Sequence, residues 1–218
     1  QEERRETGAD PLLPRAIETQ APVCNLGLTK TVRTAPENAV AGAGFVIGDA
    51  SQRTRVMATD ILLDALFGSN EAPMKRAMLD SGIAEDVSAF VADAMKQPFV
   101  VVQLKKQQDE TAADLVPTIE REIAKLLDAG LNKDLVEAAI SHEEFVMREH
   151  DFGLADGVAH AMNCLAGWLY DDSLATTYLR YEDDFRFLRG ALGGTYFDDL
   201  ARSMALQNNH RASVAVIP

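Results

Sequence analysis

Cysteine is scarce in this sequence. Cys24 and Cys164 stand far apart, and neither belongs to a C-x-x-C pair or a metal-spaced cluster. A disulfide framework and a cysteine zinc site are thereby excluded. Each thiol reads as a free, inert small residue in a reducing compartment, cytoplasmic or an organellar matrix. Runs of Lys or Arg are also lacking: Arg4-Arg5 is only a pair, and the formal net charge is −13. Nucleic acid and anionic membrane surfaces are therefore excluded as partners. No stretch approaches the roughly eighteen consecutive apolar residues of a membrane span. The opening QEERRETGADP has neither the apolar core nor the cleavage pattern of a signal peptide. The chain reads as soluble. Its first residue, Gln rather than Met, reads as the mark of a processed protein or an excised piece of a longer one, and a fragment is the expectation.

What is present suffices for a folded core. With 218 residues, 47% of them hydrophobic, the length fits one large domain or two small ones. Residues 1–37 are rich in Pro, Glu, Arg and Thr, with APVCNLGL the one apolar island, and read as a linker that ends by strapping onto a domain. NAVAGAGFVIG at 38–48 has the small and β-branched residues of an interior strand. From Gln52 to Phe67, Val56, Met57, Ile61, Leu62, Ala65 and Leu66 recur at helical spacing, and Gly68 follows as a stop. Pro73 then opens a short second helix that Gly82 ends, because a first-turn residue has no helical partner for its N–H in any case.

EDVSAFVADAM and QPFVVVQLKKQ at 85–107 read as antiparallel strands joined near Lys96-Gln97. Leu115, Ile119, Ile123, Leu126 and Leu127 form one helical stripe, with Pro117 requiring a late start or a bend. Asn132 caps the next helix, which runs to about Glu149. Further helices follow in 153–170, 181–192 and 196–206, and RASVAVI at 211–217 reads as a final strand. The order predicts an α+β two-layer sandwich, a largely antiparallel sheet with helices on one face, as a single domain over 38–218.

No catalytic set emerges from the residues. SHEEFVMREHD at 141–151 invites a metal reading, but His142 and His150 are two helical turns, about 12 Å, apart, too far for one ion. Glu143 projects from the apolar stripe of Leu135, Val136, Ala139, Ile140, Val146 and Met147. It is either a catalytic acid or a carboxylate that bends to solvent or meets an arginine. GALGG at 190–194 lacks the G-x-x-x-x-G-K of a phosphate loop. Trp168, Phe185, Phe187 and Phe197 read as core. Phe145 points nearly opposite to Val136, so one core cannot bury both. Either the helix around Leu154 to Trp168 covers Phe145 or a missing domain does, and an excised domain is then expected to self-associate weakly.

ILLDALFGSNEAPMKRAMLDSGIAEDV at 61–87 resembles the segment L-x-x-x-L-x-x-G-x-x-S-P-L-x-x-x-L-x-x-S-G-L of insulinase-like (pitrilysin-type) zinc metallopeptidases, in their presequence protease branch. AGLNKDLVEAA, the EFVMRE of 144–149, FGL at 152–154 and the Trp-Leu-Tyr of 168–170 follow in the family's order. The resemblance implies a mitochondrial-processing-peptidase-like domain, the second of four in a clamshell that encloses a peptide chamber. It makes Gly68, Pro73, Gly82, Glu144, Phe145, Arg148, Glu149 and Trp168 structural motif residues. The family's zinc sits in the first domain on H-x-x-E-H, a motif absent from this chain, so no catalytic or metal residue and no cofactor is expected here. The implied partners are sister domains of the same polypeptide and the parent enzyme's peptide substrates.

Two departures stand out: Asn70-Glu71-Ala72-Pro73 only partly matches the family's Ser-Pro turn, and Glu143 occupies a position that is usually aliphatic. The stretch from Gly68 to Gly82 is thus an elbow bracing the sheet, whose tip Ser69-Asn70-Glu71 is a contact candidate, as is Glu143. Competing readings are a binding or assembly module of the same fold without proteolysis, and an independent hydrolase using Glu143 or the histidines.

Overall fold

A computed structural model describes residues 17–24, 26–33, 35, 38–105, 115–149 and 153–217 of the chain. His150 and Phe152, of the motifs named above, lie outside the described residues. Five strands, β1 (Leu26–Thr31), β2 (Val40–Val46), β3 (Asp86–Ala92), β4 (Phe99–Lys105) and β5 (Arg211–Ile217), form one open sheet in the order β1-β5-β2-β4-β3. β1 and β5 are parallel, and the other pairs are antiparallel. The fold is therefore the α+β class read from the sequence. The hairpin of β3 and β4 is in register with Ala92 opposite Phe99.

Alternation in β2 decides which face the helices cover. Ala41, Ala43 and Phe45 are buried, while Val40, Gly42, Gly44 and Val46 between them are only half-buried. Val100, Val102 and Leu104 do the same on β4. Small residues at the centre of the sheet let the helical layer lie close. The edge strand β1 comes from the segment read as a strap. All six of its residues are exposed, and its backbone pairing with β5 holds it in place.

The helices are α1 (Arg53–Phe67), α2 (Pro73–Asp80), α3 (Leu115–Ala129), α4 (Lys133–Glu149), α5 (Asp156–Trp168), α6 (Glu182–Ala191) and α7 (Tyr196–Ala201), the last extended by a π-turn at Arg202–Leu206. α1 is the central helix. Ile61, Leu62, Leu63 and Leu66 are almost wholly buried, each worth about 1.5–3 kcal/mol relative to exposure. α3 lays Leu115, Ile119 and Ile123 into the same core. Pro117 is the third residue of α3 as described, and residues 106–114 before it lie outside the described residues. Asn132 Oδ1 accepts from the backbone N–H groups of Asp134 (3.0 Å) and Leu135 (3.4 Å), capping α4 as its sequence predicts.

The aromatic residues divide in a way the sequence reading did not. Phe185 and Phe197 are buried, but Trp168 is 52% and Phe187 49% exposed. Phe187 follows Phe185 by two positions on α6, which turns it to the opposite side, where it meets Tyr196 edge-on at 5.2 Å. Trp168 ends α5 with its indole N–H donated to Asp172 (3.0 Å). Neither is core. Phe145 is 59% exposed, so α5 does not cover it.

Candidate functional site

The elbow between Gly68 and Gly82 is built by three local devices. Gly68 receives the end of α1 in right-handed helical conformation (φ −65°), not the left-handed one that usually marks a glycine stop. Its glycine is required by crowding: a Cβ there would lie 2.1 Å from Asp64 Oδ1 and 2.5 Å from the Asp64 carbonyl oxygen. Pro73 is the first residue of α2, as read from the sequence. Gly82 follows α2 with φ +73°, the left-handed geometry that glycine adopts without penalty. Met74 and Met78 are buried beneath the elbow, while Ser69, Asn70 and Glu71 are exposed at its tip, where Glu71 pairs with Arg76 at 2.9 Å.

The motif residues of α4 form a second cluster. One oxygen of Glu144 accepts from Arg148 (2.7 Å) and the other from Arg189 of α6 (2.7 Å). The Arg189 and Arg148 guanidinium groups hold the Glu144 carboxyl below its ordinary range. Glu149 is exposed at the helix end. His142 turns toward Asp64 of α1, with Nδ1 3.3 Å from its carboxylate.

The third feature is a half-open cavity of about 120 Å³ bordered by α1, α4, α5, the β3–β4 turn and the Tyr178 turn. Its apolar walls are Val56, Met57, Val91 and Met147, and its polar lining comprises Arg53, Asp60, Asp93, Glu143, Asn163 and Tyr178. Glu143 is half-buried on the wall of this cavity. Its carboxyl is pushed up by burial and then by the charge of Asp60, with His142 opposing. Asp60 is open along the rim, yet protein crowds its carboxyl. That desolvation, with the charges of Asp93 and Asp64, raises it to about 6 against a backbone hydrogen bond from Val91. Among the described residues no ion pair joins Asp60, Asp93 or Glu143 to a cation.

Arg53 is 5% exposed and spends its charge elsewhere, on Asp184 (3.2 Å) and the carbonyls of Thr177 and Arg180. Burial lowers its pKa, and Asp184 opposes the shift. Tyr178 donates to the Ala50 carbonyl (2.8 Å), and its phenol is pushed up to about 12, by burial first and the charge of Asp93 second. Of the polar lining of this cavity the sequence reading singled out only Glu143. Two signals were available for the rest. Asp60 and Asp64 are like charges one turn apart, and Arg53 places a cation at the positive end of a helix dipole; both are unfavourable unless tertiary contacts compensate.

A zinc ion does not fit these residues. Among the described residues no three His, Cys, Asp or Glu side chains converge to hold a metal. No described helix is long and apolar enough to cross a membrane.

No family model matches the chain. Protein HypA of Clostridium perfringens (strain 13 / Type A) is 31% identical over 175 residues, covering 80% of this chain and 18% of that protein. Presequence protease 1, chloroplastic/mitochondrial, of Arabidopsis thaliana is 26% identical over 168 residues, covering 74% of this chain and 16% of that protein. The chain thus spans less than a fifth of the length of these relatives. The crystal structure of a peptidase M16 inactive domain from Pseudomonas fluorescens matches with a TM-score of 0.62 at 13% identity, over 96% of this chain and 47% of that one. The chain shares the fold of that peptidase domain, and a presequence protease is among its sequence relatives.

Proposed function

We propose that the chain is a non-catalytic domain of a zinc-dependent endopeptidase. Residues 38–218 form the domain, residues 1–37 its linker and strap, and it supplies chamber wall and a packing surface for a sister domain. The peptide-degrading site lies on that sister domain in this reading, and the parent protein's peptide substrates are partners of the whole.

One observation carries the packing role. Val158, Met162, Leu165 and Leu169 recur at spacings of four, three and four along α5 and its end, which places them on one stripe, and all are 43–61% exposed. Leu154 and Trp168 extend the exposed apolar surface, at 51% and 52%. The buried side of α5 uses only small residues, Ala159, Ala166 and Gly167. A helix that turns its large side chains outward is built to be covered by something further, and contiguous exposed apolar area of this kind marks interaction surfaces.

The test is sedimentation of the purified chain with a dye that reports apolar surface. Concentration-dependent weak association and dye binding are expected. Met162→Lys with Leu165→Lys should abolish both and leave thermal stability within about 0.5 kcal/mol, as for substitutions away from a core. A strict monomer at high concentration with no dye-accessible patch would remove the surface argument. An H-x-x-E-H segment in the parent reading frame separates the peptidase reading from a binding or assembly module of the same fold.

A further inference from the structure

We propose that residues 17–31 are a detachable strap, which leaves the edge of β5 as one unit while the rest of the domain stays folded. The inference needs only the strap and stands whether or not the chain serves a peptidase.

The strap adds no side chain to the core. From Ile17 to Ala35 every described residue is exposed except Val23, which is half-buried, and burial begins only at Ala39. Leu28 lies beside Val214 in the register, yet these two apolar side chains are themselves 49% and 44% exposed. The helix-facing side of β1 is not packed either. An open groove of about 360 Å³, lined by Gly27 and Ser213 on the sheet and by Val116 and Pro117 on α3, lies where a helix would otherwise cover this edge. Hydrophobic burial, which holds β2 and β4 under the helices, is thus missing from the strap.

Hydrogen bonds do the holding. The Gln97 side chain accepts from the backbone N–H of Gln20 (2.7 Å) and donates back to its carbonyl (3.3 Å), and Lys96 donates to the carbonyl of Ile17. The Val23 carbonyl accepts from the N–H of Arg211 at 2.9 Å, and β1 then pairs with β5 over Leu26–Thr31. The Gln97 and Lys96 bonds are open to water. Bonds of that kind do little more than offset the entropy of ordering the segment, so the strap opens at a lower free energy than the domain unfolds.

Opening changes how the domain is tethered. Attached, the chain meets the domain at the β3–β4 turn, where Lys96 and Gln97 take hold of Ile17 and Gln20. It then crosses the end of the sheet to the opposite edge, since β3 and β1 are the outermost strands. Detached, the chain is first fixed at Ala39, and residues 17–38 become a tether that can extend about 70 Å. The strap therefore decides whether the segment ahead of Ile17 rides with the domain or swings free.

The sheet supplies an internal control. His210 accepts from Val46 of β2, whereas Arg211 donates to the strap, so successive residues of β5 turn their backbone groups to opposite neighbours. The N–H groups of Ser213 and Ala215 therefore face β1, and those of Ala212, Val214 and Val216 face β2.

The experiment is amide hydrogen exchange on the whole 218-residue chain, followed residue by residue by NMR. Ser213 and Ala215 are expected to exchange together with the paired amides of β1, roughly a hundredfold faster than Ala212, Val214 and Val216 once intrinsic rates are removed. That exchange should depend little on denaturant, because a strap without buried surface exposes little on opening. Gln97→Ala should speed the Ser213 and Ala215 set several-fold and leave the other set unchanged. Equal rates for the two sets, rates that climb smoothly toward the end of β5 without alternation, or a Gln97→Ala variant that moves both sets alike or neither would each overturn the proposal.

Discussion

Glu144 of α4 and Arg189 of α6 are joined by an ion pair of 2.7 Å, although 45 positions separate them in sequence. The same carboxylate holds Arg148, so a motif that reads as a local E-F-x-x-R-E run is in fact a clamp between two helices. Glu144 is 18% exposed and Arg189 40%, which makes the pair a rim contact with limited worth. A double-mutant cycle of Glu144→Gln and Arg189→Met should give a coupling of about 0.5 kcal/mol at neutral pH. Because the Glu144 pKa is depressed in the folded chain, that coupling is present above the ordinary glutamate range and is lost as pH falls through the folded value. A zero coupling at pH 7 in denaturant titrations would show the clamp to be ornamental.

Gly68 and Gly82 bracket the same elbow and should fail for different reasons. Gly68→Ala drives a methyl into the Asp64 carbonyl, a contact no rotamer can relieve, and should cost about 1–3 kcal/mol. Gly82→Ala meets nothing within 4 Å but must hold φ +73°, a penalty of about 1 kcal/mol. Asn, which tolerates that region, should recover part of the loss at position 82 and none at 68. Equal recovery at both positions would contradict the distinction.

The acid side of the stability curve should report on Asp60. Its folded pKa of about 6 lies above the ordinary aspartate value, so the folded state holds this proton more tightly than the unfolded one. Its contribution is fully present below the unfolded pKa, near 4, and is lost as pH rises to about 6. Full linkage would be worth roughly 3 kcal/mol, but the open rim screens the group, and a value on the order of 1 kcal/mol is expected. Asp60→Asn should therefore be the more stable protein at pH 7 by that amount and lose its advantage by pH 4. Curves that stay parallel across this range would refute the shift.

What the sequence made legible was whatever is local. The stripe from Val56 to Leu66, the Pro73 helix start and the Asn132 cap each depend on neighbours within a turn or two, and each stands in the structure as read. β1 was hidden because its exposed LGLTKT has no burial pattern and is held by pairing with β5 at the far end of the chain. Trp168 and Phe187 misled because apolar composition says that a side chain seeks cover, not that the cover lies within the same chain. The cavity was missed for a related reason: Asp60, Asp93 and Glu143 come from three separate elements, and only the packing of α1 beside β3 and α4 brings them together.

Zinc content offers an independent check. His142 faces Asp64 rather than a second imidazole, and no described trio of ligands converges. After incubation with zinc and dialysis the chain should retain well below about 0.1 equivalent. Stoichiometric zinc lost on His142→Ala would require a site built with residues outside those described.

The central claim, a pitrilysin-type domain without its own chemistry, is tested most directly by incubating the purified chain with unstructured peptides, with and without zinc and chelator. The account predicts no cleavage above the buffer blank under any of these conditions. Turnover that survives chelation and disappears in Glu143→Gln, or turnover that appears only with zinc, would contradict it.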